Sequence, residues 1–197
     1  MTADVRALLK ETGAWLEGHF LLHSGRHSDQ FVQMAQAFQY PDKAAALCAE
    51  LGEKLRPFGA RVVVGPAVGG ILMAYAVGQA LGIRALYTEK QSGPGKQSGQ
   101  HRLGRGFRIE PGEPVAVVDD VSTTGDSVRQ AMAAAREAGG TVVAAGLIVD
   151  RSGGEVRFDV PFVSLATVKM STWEPAECPL CKQGIPLINP DTRKPVE

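Results

Sequence analysis

The segment VAVVDDVSTTGDS, residues 115–127, constrains this chain more than any other. Residues 115–118 are apolar and mostly β-branched, which reads as a strand buried on both faces. The chain then delivers two carboxylates, Asp119 and Asp120. It passes through Val121, Ser122, Thr123, Thr124, Gly125 and Asp126 into a helical pattern that starts at Ser127 and ends at Gly139-Gly140. A strand, a hydroxyl-rich turn and a helix start, in that order, offer free backbone N–H groups at the positive end of a helix dipole. The Ser and Thr hydroxyls add donors, and Gly125 lets the backbone come close to a ligand. A phosphate monoester fits. The two carboxylates would repel that phosphate, so they make sense facing the rest of the ligand. There they can accept hydrogen bonds from vicinal sugar hydroxyls or help hold a hydrated Mg²⁺. A sugar phosphate satisfies both halves. An ordinary loop with capping Asp and Thr residues uses the same residue types. A Walker loop is excluded, because no Gly-Lys-Ser/Thr follows the turn.

The strand–turn–helix unit recurs. Residues 61–64 form a β-branched run, 65–70 a tight turn and 71–81 a helical pattern, followed by strands at 84–87 and 141–149. Apolar strands alternating with helices predict an α/β fold with a mainly parallel five-stranded sheet flanked by helices. Ligands on such sheets bind beyond the carboxyl ends of the strands, where both turns fall. In VVVGPAVGG, residues 62–70, the small residues Gly65, Ala67, Gly69 and Gly70 would let backbone N–H groups line up against an oxyanion, although a Gly-rich turn alone is often only a tight turn. Before this core, Val5, Leu8, Leu9, Thr12 and Leu16 predict a helix over 3–16. Residues 20–31 read as strand, turn, strand, and Pro41 opens a second helix. The last thirty residues lack periodicity and read as irregular coil packed on the core.

Lys plus Arg and Asp plus Glu number 21 each, for a net charge of zero. No global field points to nucleic acid or an anionic membrane, so anion binding must be local. Charged residues Asp4, Arg6, Lys10 and Glu11 interrupt any signal-peptide core. No stretch approaches the roughly 18 apolar residues that span a bilayer. The chain reads as soluble and cytoplasmic. Its three cysteines, Cys48, Cys178 and Cys181, do not suggest a disulfide framework. Cys178-x-x-Cys181 has no second pair within the chain to complete four zinc ligands. Pro179 and the late position make redox chemistry unattractive, so the pair is read as structural, with no protein-held metal. The stretch 89–106 is polar, Gly-rich and basic, with few groups to bury, and is expected to be mobile. Its Lys90, Lys96, His101, Arg102 and Arg105 are candidates to neutralise a departing anion while the loop excludes water.

Residues 117–127 resemble the phosphoribosyl-diphosphate (PRPP) motif of type I phosphoribosyltransferases: a hydrophobic strand, two acidic residues, then a Thr/Gly-rich phosphate loop. Phe20, Leu22, Ser24, Gly25 and Ser28 in GHFLLHSGRHSDQF resemble the N-terminal signature of the orotate branch, which often has Lys where His23 stands. The Cys-Pro-Leu-Cys tail is similar to that of many orotate enzymes. The resemblance implies one phosphoribosyltransferase domain over 1–197, with a hood of about 1–40 plus the C-terminal tail and a core of about 41–168. It implies transfer of ribose 5-phosphate from PRPP to orotate, giving orotidine 5′-monophosphate and diphosphate in pyrimidine (UMP) biosynthesis. PRPP would meet Asp119 through Ser127, the turn Ala67, Val68, Gly69 and Gly70, and Lys90. Orotate would meet Thr123, Arg151, His23 and Phe31, the Arg suiting its carboxylate. Catalysis would fall to Asp119, Asp120, Lys90, Lys96 and His101, with Mg²⁺ carried mainly by PRPP. The family's mobile loop, which reaches a neighbouring active site, implies a homodimer. A purine phosphoribosyltransferase and a non-catalytic PRPP-sensing regulator are the alternatives.

Overall fold

The computed structural model describes residues 4–22, 24–91 and 99–196. The chain runs through α1 (Val5–Glu11), β1 (Trp15–Leu21), β2 (His27–Val32), α2 (Ala35–Phe38) and α3 (Pro41–Leu55). It continues with β3 (Val62–Pro66), α4 (Gly69–Leu81), β4 (Arg84–Lys90), β5 (His101–Leu103), β6 (Pro114–Ser122), α5 (Asp126–Glu137), β7 (Thr141–Asp150) and β8 (Phe162–Thr167). The tail contributes β9 (Thr172–Trp173), α6 (Pro179–Lys182), β10 (Ile188–Asn189) and β11 (Lys194–Pro195).

The core sheet has the order β5-β4-β3-β6-β7-β8. Strands β4, β3, β6, β7 and β8 are parallel, as expected, and β5 adds an antiparallel edge beside β4. The valine runs lack polar alternation because helices cover both faces. Val63 and Val118 point into the cluster that holds Leu47, Leu51 and Leu55 of α3 with Met73 and Val77 of α4. Val62, Val64, Val115 and Val117 point the other way, onto Val128, Ala131 and Ala135 of α5. Leu47, Leu51 and Leu55 are one helical turn apart and fully buried, each contributing roughly 2 kcal/mol of apolar transfer. Pro41 occupies the first turn of α3, with Asp42 at its positive end.

The second sheet, β11-β10-β1-β2-β9, joins the N-terminal hairpin to the tail. The expected helix over 3–16 is shorter. Asp4 caps it by accepting from the Ala7 amide at 3.1 Å, and Gly13, at φ +68°, ends it. The Ala14 amide then closes on the Leu9 carbonyl, so Trp15 and Leu16 become strand. The tail, read as coil, supplies three two-residue strands, too short for any hydrophobic period to show. Between Glu17 and Phe20 the hairpin register slips by one residue, a bulge at Gly18-His19. No described helix is long and apolar enough to cross a membrane.

Candidate active site

Strand β6 carries its buried valines to the carboxyl edge of the sheet, and the two acidic residues belong to its end rather than to the turn after it. Asp119 lies opposite Leu147 and Ser122 opposite Asp150 of β7. The buried Ser122 hydroxyl accepts the Gly125 amide at 2.9 Å. Gly125 sits at φ +85° and caps α5, a conformation other residues adopt only under strain. Thr123 and Thr124 are exposed. The Thr124 hydroxyl donates to Asp126 at 2.8 Å, and Arg129 clamps the Thr124 carbonyl at 2.6 Å. The first-turn amides of α5 have no intrahelical acceptors, so this loop presents an anion cradle at the positive end of the helix.

Asp119 is 6 % exposed. Its carboxylate accepts the Ser127 hydroxyl at 2.6 Å and the Asp120 amide at 3.0 Å. Burial, and then the neighbouring Asp120 charge, push Asp119 up to about 7, against the opposing pull of Ser127. Burial raises Asp120 too. One oxygen of Asp120 accepts the Val121 amide at 2.7 Å, and its carboxylate lines a cleft of about 520 Å³ shared with Gly69, Val68, Leu72, Gln33 and Phe38. The pair thus holds its negative charge at a cost that hydroxyl donors from a ligand would reduce.

The Gly-rich turn lies next to it because β3 and β6 are adjacent parallel strands. A Cβ on Gly69 would stand 2.9 Å from an Asp120 carboxylate oxygen, and one on Gly70 2.7 Å from the Pro66 ring. The Ala67 amide donates to the Thr88 carbonyl at 2.8 Å, tying the turn to β4. Helix α4 begins at Gly69 with no side-chain cap. Two helix starts therefore open on the same sheet edge, with Asp120 beside one and Asp119 beside the other.

On the far side of the phosphate loop, Arg151 follows β7, and its amide donates to the Ser122 carbonyl at 2.8 Å. The Asp150 carboxylate accepts the Ser152 amide at 2.8 Å and shapes this turn. The Arg151 Nε is buried with no hydrogen-bond partner among the described residues, and the guanidinium lies 5.8 Å from the centre of the Phe31 ring. Burial lowers its pKa, a sign that the charged group lacks solvation and an anion would supply it. Thr123 and Arg151 line one cleft of about 410 Å³, with Lys169 and Met170 among its walls. The last two escaped sequence reasoning, because the segment after β8 carries no motif.

The basic stretch differs from the expected loop. Its ends form a β4–β5 pairing that sets Lys90 opposite His101. Lys90 is exposed. His101, by contrast, is 4 % exposed, and its Nδ1 lies 2.8 Å from the Thr88 hydroxyl. Burial, then the Lys90 charge, lower its pKa. His101 is therefore corrected from a mobile loop residue to a buried strand residue, because it fills the inward position of the edge hairpin. Arg105 is paired with Glu89 at 2.7 Å, and Arg102 is exposed. Lys96 and His23 lie outside the described residues. The reading of the cysteine pair as lacking further ligands is also corrected: folding brings His19 and His27 to Cys178 and Cys181.

The model of the phosphoribosyl transferase domain matches residues 35–180. The orotate phosphoribosyltransferase of Pelotomaculum thermopropionicum is 48% identical over 195 residues, covering 98% of this chain and 100% of that protein. The orotate phosphoribosyltransferase of Thermotoga maritima is 44% identical over 96% of this chain and 98% of its own length. The crystal structure of orotate phosphoribosyltransferase from Aeropyrum pernix superposes with a TM-score of 0.68 at 31% identity, covering 83% of this chain and 93% of that one. With the acidic pair, the phosphate loop and the glycine turn set on one sheet edge, the chain belongs to the orotate phosphoribosyltransferase family, among the phosphoribosyl transferase domains.

Proposed function

We propose that this chain transfers ribose 5-phosphate from PRPP to orotate, forming orotidine 5′-monophosphate and releasing diphosphate, a step of pyrimidine nucleotide synthesis in the cytoplasm. The C1–O bond to diphosphate breaks and a C1–N bond to the base forms. Thr123 to Ser127 hold the 5′-phosphate, and Asp119 and Asp120 hold the ribose hydroxyls. Residues 67–70, with Lys90, hold the diphosphate. Catalysis is by positioning and by stabilising charge on an oxocarbenium-like state, with no covalent nucleophile. Mg²⁺ would arrive on PRPP and offset diphosphate charge. This suits a site where Asp119 is already engaged by Ser127 and the Asp120 amide, leaving Asp120 to contribute the freer carboxylate. The hood of about 1–40 with the tail covers the base, over a core of about 41–168. A second copy of the chain is the partner that suits the apolar face of α4, where Leu72 and Tyr75 stand exposed.

The observation that carries the choice of base is the half-buried Arg151, whose buried Nε has no hydrogen-bond partner among the described residues, beside Phe31 and Thr123. A carboxylated pyrimidine supplies the acceptor and a flat ring, whereas a purine base supplies no carboxylate. The test is turnover with orotate, adenine, guanine and hypoxanthine, in wild type and Arg151→Gln. Loss of a charge-assisted bidentate contact is expected to lower kcat/KM for orotate by about 10- to 150-fold, with PRPP affinity retained. Purine turnover, or PRPP binding without any turnover, would overturn the reading.

A further inference from the structure

We propose that His19, His27, Cys178 and Cys181 form a structural zinc site that fastens the N-terminal hairpin to the C-terminal tail. The four ligand atoms lie within 4.8 Å of one another. The His19 Nε2 stands 3.0 Å from the His27 Nδ1, 3.4 Å from the Cys178 Sγ and 3.7 Å from the Cys181 Sγ, and the last is 3.2 Å from the His27 Nδ1. In a tetrahedral zinc site, bonds of about 2.0 Å to nitrogen and 2.3 Å to sulfur place the ligand atoms about 3.3–3.8 Å apart. Those four spacings match that shell to within a few tenths of an ångström, and the remaining pairs, within 4.8 Å, need only a small inward adjustment to close on an ion.

The surroundings prepare the ligands. The His19 Nδ1 lies 2.8 Å from the Ile185 carbonyl, which can only accept, so this nitrogen carries the proton and Nε2 presents its lone pair to the cluster. A backbone carbonyl in that role orients metal-binding imidazoles generally. The bulge at Gly18-His19 re-aims the His19 side chain, and β2 brings His27 across from Leu21. His19, His27 and Cys178 are buried, and no disulfide joins the cysteines. A His–His hydrogen bond alone would explain the two imidazoles, but not why both sulfurs converge on the His19 Nε2. Two imidazole nitrogens and two cysteine sulfurs are a donor set that selects Zn²⁺ over Mg²⁺, which takes oxygen ligands. The site is separate from the PRPP residues and does not depend on the proposed reaction.

The test uses the full-length protein, purified reduced and without chelator. Elemental analysis is expected to find about one zinc per chain, lost in Cys178→Ser/Cys181→Ser and in His19→Ala. Because these variants could misfold, wild-type protein stripped of metal is also titrated with Co²⁺. The expected signature is the visible spectrum of tetrahedral cobalt with a near-ultraviolet thiolate charge-transfer band, saturating at one equivalent. Chelation should expose two thiols to a thiol reagent. Burial pushes Cys48 up to about 12, so it stays silent. Zinc removal should also lower Tm by several degrees, reversed by added Zn²⁺. Substoichiometric zinc together with no tetrahedral cobalt spectrum would overturn the proposal, as would a Cys178–Cys181 disulfide in the native protein.

Discussion

Asp119→Asn should make the ligand-free protein more stable at alkaline pH while disabling it. The buried carboxyl moves from an ordinary 3.8 to about 7, which corresponds to roughly 4 kcal/mol between its two protonation states. Asp120 lies beside it and is raised as well, so the two share the penalty. About half, roughly 2 kcal/mol, is the share expected to follow Asp119. A group whose folded pKa is raised gives its full stabilisation below the unfolded pKa and loses it as pH rises through the folded one. Wild type should therefore lose this contribution between about pH 4 and pH 7, and Asp119→Asn should not. Other groups titrate in the opposite sense: His101 is lowered by burial and then by the Lys90 charge, and Glu89 and Glu113 are lowered by arginine partners. The informative quantity is thus the difference in Tm between variant and wild type, measured by calorimetry from about pH 5 to pH 8. It should grow with pH and reach about 4–8 °C at the upper end for a chain of this size. The asparagine oxygen can keep one of the two hydrogen bonds, from Ser127 or from the Asp120 amide. A difference that is flat, or that turns destabilising at high pH, would refute the account of Asp119 as a carboxylate held at a desolvation cost.

Gly69→Ala places a methyl 2.9 Å from an Asp120 oxygen. Either the carboxylate or the turn must then shift by several tenths of an ångström. Steady-state kinetics should show kcat/KM for PRPP falling at least about 10-fold, with Tm changed by less than about 3 °C, and normal kinetics would mean the contact is irrelevant to PRPP. His101→Gln should act on stability rather than turnover: thermal melts are expected to show a loss of about 1–2 kcal/mol for the buried Thr88 partner, with kcat within about threefold of wild type. A drop in kcat of about 100-fold with unchanged Tm would restore His101 to the catalytic group.

The strand–turn–helix units were legible because each has a local cause. Valines buried on both faces lack alternation, and Gly125 marks the left-handed residue that caps α5. The short helix α1 was over-read because Leu16 continues the helical spacing, while the signal that stops it, Gly13, is a single residue. His101 was misjudged for a physical reason: one buried histidine in a polar, Gly-rich stretch looks the same in sequence as an exposed one. Only the pairing of Lys90 with His101 across the hairpin reveals which side it faces. His19 and His27 were invisible as ligands because about 150 residues separate them from the cysteines, and no local spacing encodes contact over that distance.

The adjacency of β3 and β6 is what lets the proposed binding mode use the two turns as one device. Each turn alone is an uncapped or glycine-capped helix start, common in proteins of this class. Side by side, they place positive helix ends at two points along one sheet edge, and a ligand with phosphate groups at both ends can span them. In the proposed reaction the part of the ligand between those ends is the ribose, whose hydroxyls suit a wall made of Asp119 and Asp120. A carboxylate wall repels phosphate, so in that binding mode it would oppose sliding of the ligand along the edge. With the wall closed against the second turn, a Cβ at residue 69 would stand 2.9 Å from an Asp120 carboxylate oxygen, closer than real Cβ contacts, unless that side chain or the turn moved. The glycine in one motif is therefore favoured by the aspartate in the other, 51 residues away in sequence, and it is the strand pairing that brings the two motifs into contact.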